Sequence, residues 1–396
     1  MTSQSRLETI LEKALNKRRS NHNFRQLHAI QRQEGKLFHN GQWILDFASN
    51  DYLALSHHPL LRTRAASWAE KYGTGSCASR LVNGTLELHK LVEEKLARFK
   101  YSEAALLFAS GWQANASLIP ALNLLSQQET GQDALFFTDK LNHASLHIGC
   151  AAAGIRQNRY RHNDLAHLET LLKRHSHQAG LKFIVTESVF SMDGDRADIP
   201  ALRYLADKFD AALYIDEAHA TGILGKEGRG LSQGLADITM STASKALGGM
   251  GAFITGSQKL CDFLVNFASG FIYSTALPPP VLGALDAALD LMPDMEPERA
   301  AIQEKASFLR KEIAKLGFVT EPSSTQIIPI HIGSAEKTLI VAQSLKEQGF
   351  FCGAIRPPTV PQNTSRLRVT LNADHTQQDV THFIKALKIS LENNIS

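Results

Sequence analysis

Short apolar runs alternate with longer amphipathic stretches between about residues 100 and 256. The runs are AALLF at 104–108, ALFFTD at 134–139, FIVTES at 183–188, ALYIDE at 212–217 and ITMSTAS at 238–244. Apolar runs of this length, separated by helix-like stretches, predict a mostly parallel sheet wrapped by helices. Each run ends in polar or small residues, and open α/β sheets bind ligands at the carboxyl ends of their strands. We therefore expect a functional site at that edge.

Two other segments flank this predicted sheet. The first 20 residues have the spacing of a polar amphipathic helix and lack the apolar region of a signal peptide. A proline-rich break at 277–280 precedes long helical patterns and a second αβ section containing IIPIHI at 327–332 and RLRVTLN at 366–372. We predict an N-terminal helical segment at 1–45, a large α/β/α domain at 46–285 and a smaller C-terminal α+β domain at 286–396.

The composition is that of a globular protein without a strongly charged partner. Of the 396 residues, 43% are hydrophobic, and 42 basic against 39 acidic residues give a net charge of +3. So small a charge does not favour nucleic acid or an anionic membrane as a partner, and no apolar stretch predicts a membrane span. The four cysteines are scattered and form no CxxC pair, so we expect no metal site and no disulfide framework, and a cytoplasmic location fits best.

An acid and a lysine follow two consecutive apolar runs. Asp216 opens the sequence DEAH, and Lys245 lies 29 residues later, after the run at 238–244. A cofactor whose pyridine nitrogen stays protonated needs a carboxylate beside it, and an imine-forming lysine must reach its neutral form. The pair therefore points to pyridoxal 5′-phosphate (PLP), although an aspartate seen alone is more often a helix cap or an ion-pair partner. A DEAH-box helicase is excluded because the chain contains no GxxxxGK[ST] loop.

Eight segments occur in an order that resembles a known family, the α-oxoamine synthases among the fold-type I PLP enzymes. They are SNDYLALSHHP at 49–59, GTGSCASRLVNGT at 73–85, LFASGWQAN at 107–115, DKLNHASLHIG at 139–149, TESVFSMDGD at 186–195, DEAHATG at 216–222, STASKALGG at 241–249 and IYSTALPPP at 272–280. The sequence departs from the usual pattern at Ala54 and Ala220, where glycine or another small residue is more common, and at Cys77-Ala78, which replaces a more glycine-rich pair. These departures concern the geometry of loops.

The resemblance implies a set of cofactor contacts. Lys245 would hold PLP, Asp216 would pair with the pyridine nitrogen, His143 would stack on the ring and His219 would lie near the phenolic oxygen; these four are also the implied catalytic residues. Further implied cofactor contacts are Ser191 at the phenolic oxygen, Gly111, Trp112, Thr242 and Ser244 at the phosphate, and Ser274 and Thr275 at the phosphate of the neighbouring subunit of a homodimer. Simpler interpretations remain, such as a packing role for Trp112 and a turn at SMDGD.

Enzymes of this family condense a small amino acid with an acyl thioester and release carbon dioxide. Residues 354–371, AIRPPTVPQNTSRLRVTL, resemble the branch that uses L-alanine and a pimeloyl thioester, carried by coenzyme A or acyl carrier protein. The rigid fork of Arg356 suits the amino acid carboxylate. Other implied substrate contacts are Asn50 at that carboxylate, Thr359 in the acyl pocket and Arg25 at the far carboxylate. A glycine acetyltransferase, a PLP aminotransferase and a non-catalytic binding module remain alternatives.

Overall fold

The computed structural model describes residues 3–395, and the chain forms two compact units. The large unit is Asn50–Ala301, and the second combines the residues up to Ser49 with those from Ile302 onward. The domain limits predicted at residues 45 and 285 stay predictions. No helix in the described part of the chain is both long and apolar enough to cross a membrane.

The N-terminal part of the second unit is helical only at its beginning. One helix and three short strands follow each other: α1 (Ser3–Ser20), β1 (Gln31–Gln33), β2 (Lys36–His39) and β3 (Gln42–Asp46). Two-residue turns, Glu34-Gly35 and Asn40-Gly41, join the antiparallel strands, and all four turn residues have positive φ. Such turns match the twist of a hairpin. The predicted helical segment at 1–45 is therefore wrong beyond Ser20, where an Asn-Gly hairpin signal was overlooked.

The large unit is built on a seven-stranded sheet in the order β4-β10-β9-β8-β7-β5-β6. The strands are β4 (Ala104–Phe108), β5 (Leu135–Asp139), β6 (Asn158–Tyr160), β7 (Lys182–Glu187), β8 (Ala211–Asp216), β9 (Ile238–Thr242) and β10 (Ala252–Gly256). All run parallel except β10, which is antiparallel to both of its neighbours. All five apolar runs identified in the sequence form strands, and the predicted fold class is confirmed.

Helices pack against both faces of this sheet. The helices of this unit include α2 (Pro59–Tyr72), α3 (Glu87–Lys100), α4 (Gly111–Thr130), α5 (Ala144–Ala152), α6 (Leu165–Arg174), α7 (Ile199–Lys208), α8 (Gln258–Phe267), α9 (Ser269–Ile272) and α10 (Pro279–Leu291). Of these, α2 and α10 pack mainly on each other. Two apolar clusters share the strands between them: Phe136 and Phe183 belong to one, and the next residues, Phe137 and Ile184, belong to the other. Successive side chains of a strand point to opposite faces, so the continuous apolar runs reflect strands that are buried on both sides.

The C-terminal part of the chain completes the second unit. It contains α11 (Glu296–Lys315), which begins before the division at residue 302, and then β11 (Ile327–Gly333), α12 (Ala335–Glu347), β12 (Phe350–Phe351), β13 (Gly353–Ile355), β14 (Ser365–Thr370) and α13 (Gln377–Ile395). Strands β11, β14 and β13 form an antiparallel sheet. Strand β12 pairs in parallel with β3, with Phe350 opposite Leu45. The N-terminal strands therefore belong to the same unit as the C-terminal helices.

Candidate active site

A cavity of about 180 Å³ lies where β7, β8 and β9 end in the large unit. Eight of the residues proposed from the sequence line it: Gly111, Trp112, His143, Asp216, His219, Thr242, Ser244 and Lys245. Three polar residues that were not proposed also line it: Asn115, Ser145 and Glu187. The location agrees with the expectation that ligands bind at the carboxyl ends of parallel strands.

The N-terminus of α4 forms one wall of the cavity. Ser110 caps this helix, because its side chain accepts a hydrogen bond from the backbone N–H of Gln113 at 3.1 Å. Gly111 must be glycine, since a Cβ there would lie 2.8 Å from Cγ2 of Thr242. The first N–H groups of a helix have no partner within the helix and carry a partial positive charge. This wall is therefore suited to a phosphate group.

His143 lies at the start of α5, on another side of the cavity. It is the N-cap of that helix, with Nδ1 2.7 Å from Oγ of Ser145 and 3.3 Å from the backbone N–H of Ser145. Burial lowers the pKa of His143, although the charge of Asp216 opposes that effect. A neutral imidazole with a fixed orientation is suited to stacking on an aromatic ring.

Asp216 is the last residue of β8 and is nearly inaccessible to solvent. Oδ2 accepts a hydrogen bond from Nδ2 of Asn115 at 2.9 Å, and Oδ1 accepts one from the backbone N–H of Ala218 at 2.9 Å. The Asn115 amide also donates to Oγ of Ser145 at 2.8 Å, while its oxygen accepts the hydroxyl of Tyr214. Because every polar atom of Asn115 has a partner, the orientation of the Asp216 carboxylate is fixed.

Lys245 and His219 are in direct contact. Nζ of Lys245 lies 2.8 Å from Nε2 of His219, and Nδ1 of His219 lies 2.7 Å from the hydroxyl of Tyr52. Tyr52 in turn donates to Oδ1 of Asn50 at 3.0 Å. This chain of polar contacts connects the amine of Lys245 to Asn50, which was proposed as a substrate-binding residue.

The turn that carries Asp216 and His219 is anchored by a buried ion pair. Oε2 of Glu217 accepts a hydrogen bond from Nζ of Lys100 at 2.5 Å, and both side chains are almost fully buried. Oε1 of Glu217 accepts the backbone N–H groups of Leu231 and Ser232 at 2.5 and 2.8 Å. These three hydrogen bonds of Glu217 hold the DEAH turn at the end of β8, so the positions of its neighbours are fixed.

Three residues proposed for the cofactor lie outside the lining of this cavity. Ser191 is in the loop after β7, at the first position of the turn at 191–193. Ser274 and Thr275 line a smaller cavity together with Gln113, whose Nε2 donates to Oγ of Ser274 at 2.7 Å. The structure of one chain does not bring these three side chains to the cavity. Their assignment to the cofactor stays a prediction, which for Ser274 and Thr275 concerns the neighbouring subunit.

Three of the proposed substrate residues meet in the second unit. Nη2 of Arg25 donates to Oγ1 of Thr359 at 3.0 Å. The guanidinium of Arg356 donates from Nε to the carbonyl of His22 at 2.8 Å and from Nη2 to the carbonyl of Phe24 at 2.9 Å. Burial and the nearby Arg25 both lower the pKa of Arg356. Two arginines this close favour an anionic partner, and a carboxylate that used the fork of Arg356 would have to replace these two carbonyls.

Comparison with known proteins identifies the family of this chain. Residues 43–387 match the model of the family described as aminotransferase class I and II. The chain belongs to that family. Within it, the chain is 58% identical over 351 residues to the 8-amino-7-oxononanoate synthase of Gluconacetobacter diazotrophicus, with 88% of each chain covered. The resemblance of this aminotransferase-family chain to the α-oxoamine synthases is thus confirmed.

Solved structures agree with this assignment. The 8-amino-7-oxononanoate synthase of Francisella tularensis is 27% identical, with a TM-score of 0.74 over 88% of this chain and 98% of that one. The serine palmitoyltransferase of S. paucimobilis is 24% identical and has a TM-score of 0.89 over 99% of each chain. The similarity to serine palmitoyltransferase shows the fold alone, and it covers the residues of both units of this chain.

The polar residues that were overlooked lie within the recognised motifs. Tyr52 is in SNDYLALSHHP, Asn115 ends LFASGWQAN and Glu187 is in TESVFSMDGD. Each is an ordinary polar residue in the sequence, and nothing in its spacing distinguishes it from a surface position. Their membership of a matched motif marks all three, but it does not indicate which partner each side chain contacts.

Proposed function

We propose that this chain is a PLP enzyme that condenses L-alanine with a pimeloyl thioester to give 8-amino-7-oxononanoate, carbon dioxide and a free thiol, a step of biotin synthesis. The observation that carries the proposal is the presence of the Lys245 amine and the Asp216 carboxylate on one cavity. The choice of alanine and pimelate rests on the relative that is 58% identical and is named 8-amino-7-oxononanoate synthase.

The residues of the cavity fit PLP in chemical type. The helix N-terminus at Gly111, with the hydroxyls of Thr242 and Ser244, would hold the phosphate, and His143 would stack on the ring. Asp216, whose orientation is fixed by its two hydrogen bonds, would accept a hydrogen bond from the protonated pyridine nitrogen and so keep the ring cationic. When bound, PLP supplies an aldehyde that combines with amines and a ring that spreads the negative charge of a carbanion.

The chain itself would supply proton transfer and positioning. Lys245 would hold the cofactor, and its amine, when free, would remove the proton from the α-carbon of the bound alanine. His219, 2.8 Å from Nζ of Lys245, orients that amine. The α-carbon then attacks the thioester carbonyl, the thiol leaves, the alanine carboxylate departs as carbon dioxide and a proton returns to the same carbon. Asn50 and Arg356 would bind the alanine carboxylate, and Thr359 and Arg25 the acyl chain.

A product assay tests the proposal directly. Purified protein with PLP is incubated with L-alanine and pimeloyl-CoA, and the products are identified by mass spectrometry. We expect 8-amino-7-oxononanoate in an amount equal to the free thiol released. Parallel reactions use pimeloyl-acyl carrier protein as the donor, and glycine with acetyl-CoA. Turnover of glycine and acetyl-CoA without turnover of alanine would replace this proposal by a glycine acetyltransferase.

Replacing Lys245 gives a second test. Lys245→Ala should lose the visible absorbance of lysine-bound PLP and reduce turnover by several orders of magnitude, because both the covalent attachment and the α-carbon base are removed. Lys226→Ala is the matched control, since Lys226 is solvent-exposed and lies outside the cavity. A Lys245→Ala protein that kept both its colour and its turnover would remove Lys245 from this role.

The assembly and location are also proposals. We propose a homodimer in which Ser274 and Thr275 serve the partner's site, on the basis of the family resemblance. A cytoplasmic location is supported by four unpaired cysteines among the described residues.

A further inference from the structure

Glu187 is a carboxyl group in the cavity to which the mechanism above gives no role. It is the last residue of β7, is 2% exposed and lines the cavity. Its backbone pairs with that of Asp216 across the parallel strands β7 and β8. Side chains at paired positions of neighbouring strands point to the same face of the sheet, so two buried carboxyl groups lie side by side.

The surroundings of the two carboxyl groups are unequal. Asp216 accepts hydrogen bonds from Asn115 and from the backbone N–H of Ala218. The backbone N–H of His143 favours the ionised form of Glu187 and lowers its pKa, but Oε1 of Glu187 has no hydrogen-bond partner among the residues that the structure describes. Two adjacent buried carboxyl groups do not both ionise readily, and the proton goes to the one with fewer donors. Glu187 is that group.

The charged groups around Glu187 agree with this choice. Burial raises the pKa of Glu187 well above its usual range, and the negative charges of Asp216 and Asp139 add to that rise. Lys245 and the N–H of His143 act in the opposite direction. The imidazole groups of His143 and His219 line the same cavity, and burial lowers the pKa of His143, so His143 adds little positive charge.

We infer that Glu187 is a protonated acid whose carboxyl O–H donates a hydrogen bond to an oxygen acceptor of the cofactor or amino acid bound in this cavity. A protonated carboxyl group has one O–H donor, whereas an ionised one only accepts. A donor at this place would position an oxygen of the ligand beside Asp216 without adding a second negative charge. The inference rests on the proposed cofactor site and assigns to Glu187 a binding role rather than proton transfer.

Infrared spectroscopy tests the protonation state. The PLP-loaded protein should show, at neutral pH, the C=O stretch of a buried carboxylic acid, and Glu187→Gln should remove it from the difference spectrum. Glu93→Gln is the matched control, because Glu93 is a partly buried glutamate outside this cavity whose partner is the Arg80 guanidinium. That variant should leave the acid band unchanged. An acid band that persists in Glu187→Gln would overturn the inference.

Ligand binding tests the donor role. Glutamine keeps a donor at nearly the same volume, whereas leucine removes it, so Glu187→Leu should bind cofactor or alanine about 10–100-fold more weakly than Glu187→Gln, as expected for one lost hydrogen bond in a buried site. Weaker PLP binding would place the acceptor on the cofactor, and weaker alanine binding alone would place it on the substrate. Equal affinities of the two variants for both ligands would overturn the donor role.

These measurements are independent of the proposed reaction. The infrared band and the cofactor affinity require neither a thioester nor turnover, so they retain their meaning if another acyl donor is used. Conversely, a failed product assay with an intact acid band would reject the proposed substrates while leaving Glu187 as a donor. Thermal unfolding of each variant shows that the comparison is made between folded proteins.

Discussion

Single backbone positions near the site depend on residues that tolerate unusual conformations. Ala54, in the loop that follows Asn50 and Tyr52, has φ 55° and ψ 30°, which is left-handed. An L-residue with a side chain is disfavoured there by about 1–2 kcal/mol. Glycine would remove that strain, although its greater freedom in the unfolded chain costs roughly 0.4–1 kcal/mol. Ala54→Gly should therefore raise the free energy of unfolding by up to about 1 kcal/mol, measured by thermal unfolding.

Ala220 provides the control for this prediction. It is another position at which the sequence departs from the usual pattern, but it is fully buried and its φ is not positive. Ala220→Gly should therefore destabilise the protein by about 1 kcal/mol, because a methyl contact is lost and no strain is relieved. If Ala54→Gly destabilised the protein as much as Ala220→Gly, backbone strain at Ala54 would not explain the difference between the two loops.

At the scale of residues, the charged groups of the site could be predicted from the sequence, but the polar residues that contact them could not. Asp216 and Lys245 could be proposed because an acid and a lysine after consecutive apolar runs suggest one chemistry. Glu187 could not, because its meaning depends on the pairing of β7 with β8, which sets it beside Asp216. Tyr52 could not, because its contact with Nδ1 of His219 joins residues that are 167 positions apart. These roles arise from neighbours that only the folded chain provides.

At the scale of elements, a partly buried histidine connects two loops that border the site. Nδ1 of His162 lies 3.0 Å from Oδ1 of Asp139, which precedes the His143 loop, and Nε2 lies 2.8 Å from Oδ2 of Asp195, in the loop that contains Ser191. Burial lowers the pKa of His162, but the hydrogen bonds and charges of the two aspartates outweigh burial and raise it to about 10. His162 is therefore a cation at neutral pH and holds both loops together.

This arrangement predicts how stability depends on pH. The pKa of His162 in the folded chain is above that of an unfolded histidine, about 6.5, so its stabilising effect is complete below that pH and is lost as the pH rises to about 10. We expect His162→Gln to have a lower free energy of unfolding than the wild type, as measured by thermal unfolding. The difference should be larger at about pH 6 than at about pH 10, by roughly 2–4 kcal/mol. His177→Gln, at an exposed position, should show no such trend, and a constant difference for His162→Gln would argue against the cationic link.

At the scale of the whole molecule, the sequence predicted the strands but not which segments fold together. The apolar runs marked the buried strands of the large unit because these are continuous and local signals. The second unit joins residues 31–49 to those after 302 through the pairing of β3 with β12. Strand β12 has two residues, and β3 alternates without a long apolar run. Neither pattern indicates its partner about 300 residues away.

The packing of Phe47 tests whether residues 31–49 fold as part of the second unit. This side chain is fully buried in the second unit and stacks on His375 and Phe383, with ring centroids 4.0 and 4.6 Å apart. Phe47→Ala should cost about 3–5 kcal/mol of stability in this unit and accelerate hydrogen exchange in β11 and β14. Leu27→Ala is the control, because Leu27 is fully exposed. Unchanged exchange in β14 would mean that the N-terminal segment contributes little to the C-terminal unit.

The proposed homodimer makes the strictest prediction about the assembled molecule. Within one chain, Ser274 and Thr275 lie outside the cavity that contains Lys245, so they can complete a site only in the partner. Consider a mixed dimer in which one subunit carries Lys245→Ala and the other carries Ser274→Ala with Thr275→Ala. Both defects would then affect the same site. The second site would be intact.

The mixed dimer is purified through a different tag on each subunit. It is assayed at a PLP concentration at which the Ser274–Thr275 double variant binds little PLP. We expect it to have about half of the wild-type activity. If these hydroxyls served their own subunit, every site of the mixed dimer would contain one defect. Activity would then stay at or below half the level of the double variant alone, because only one site would retain Lys245. The two arrangements therefore differ in a single measurement of activity, with each parent variant as its control.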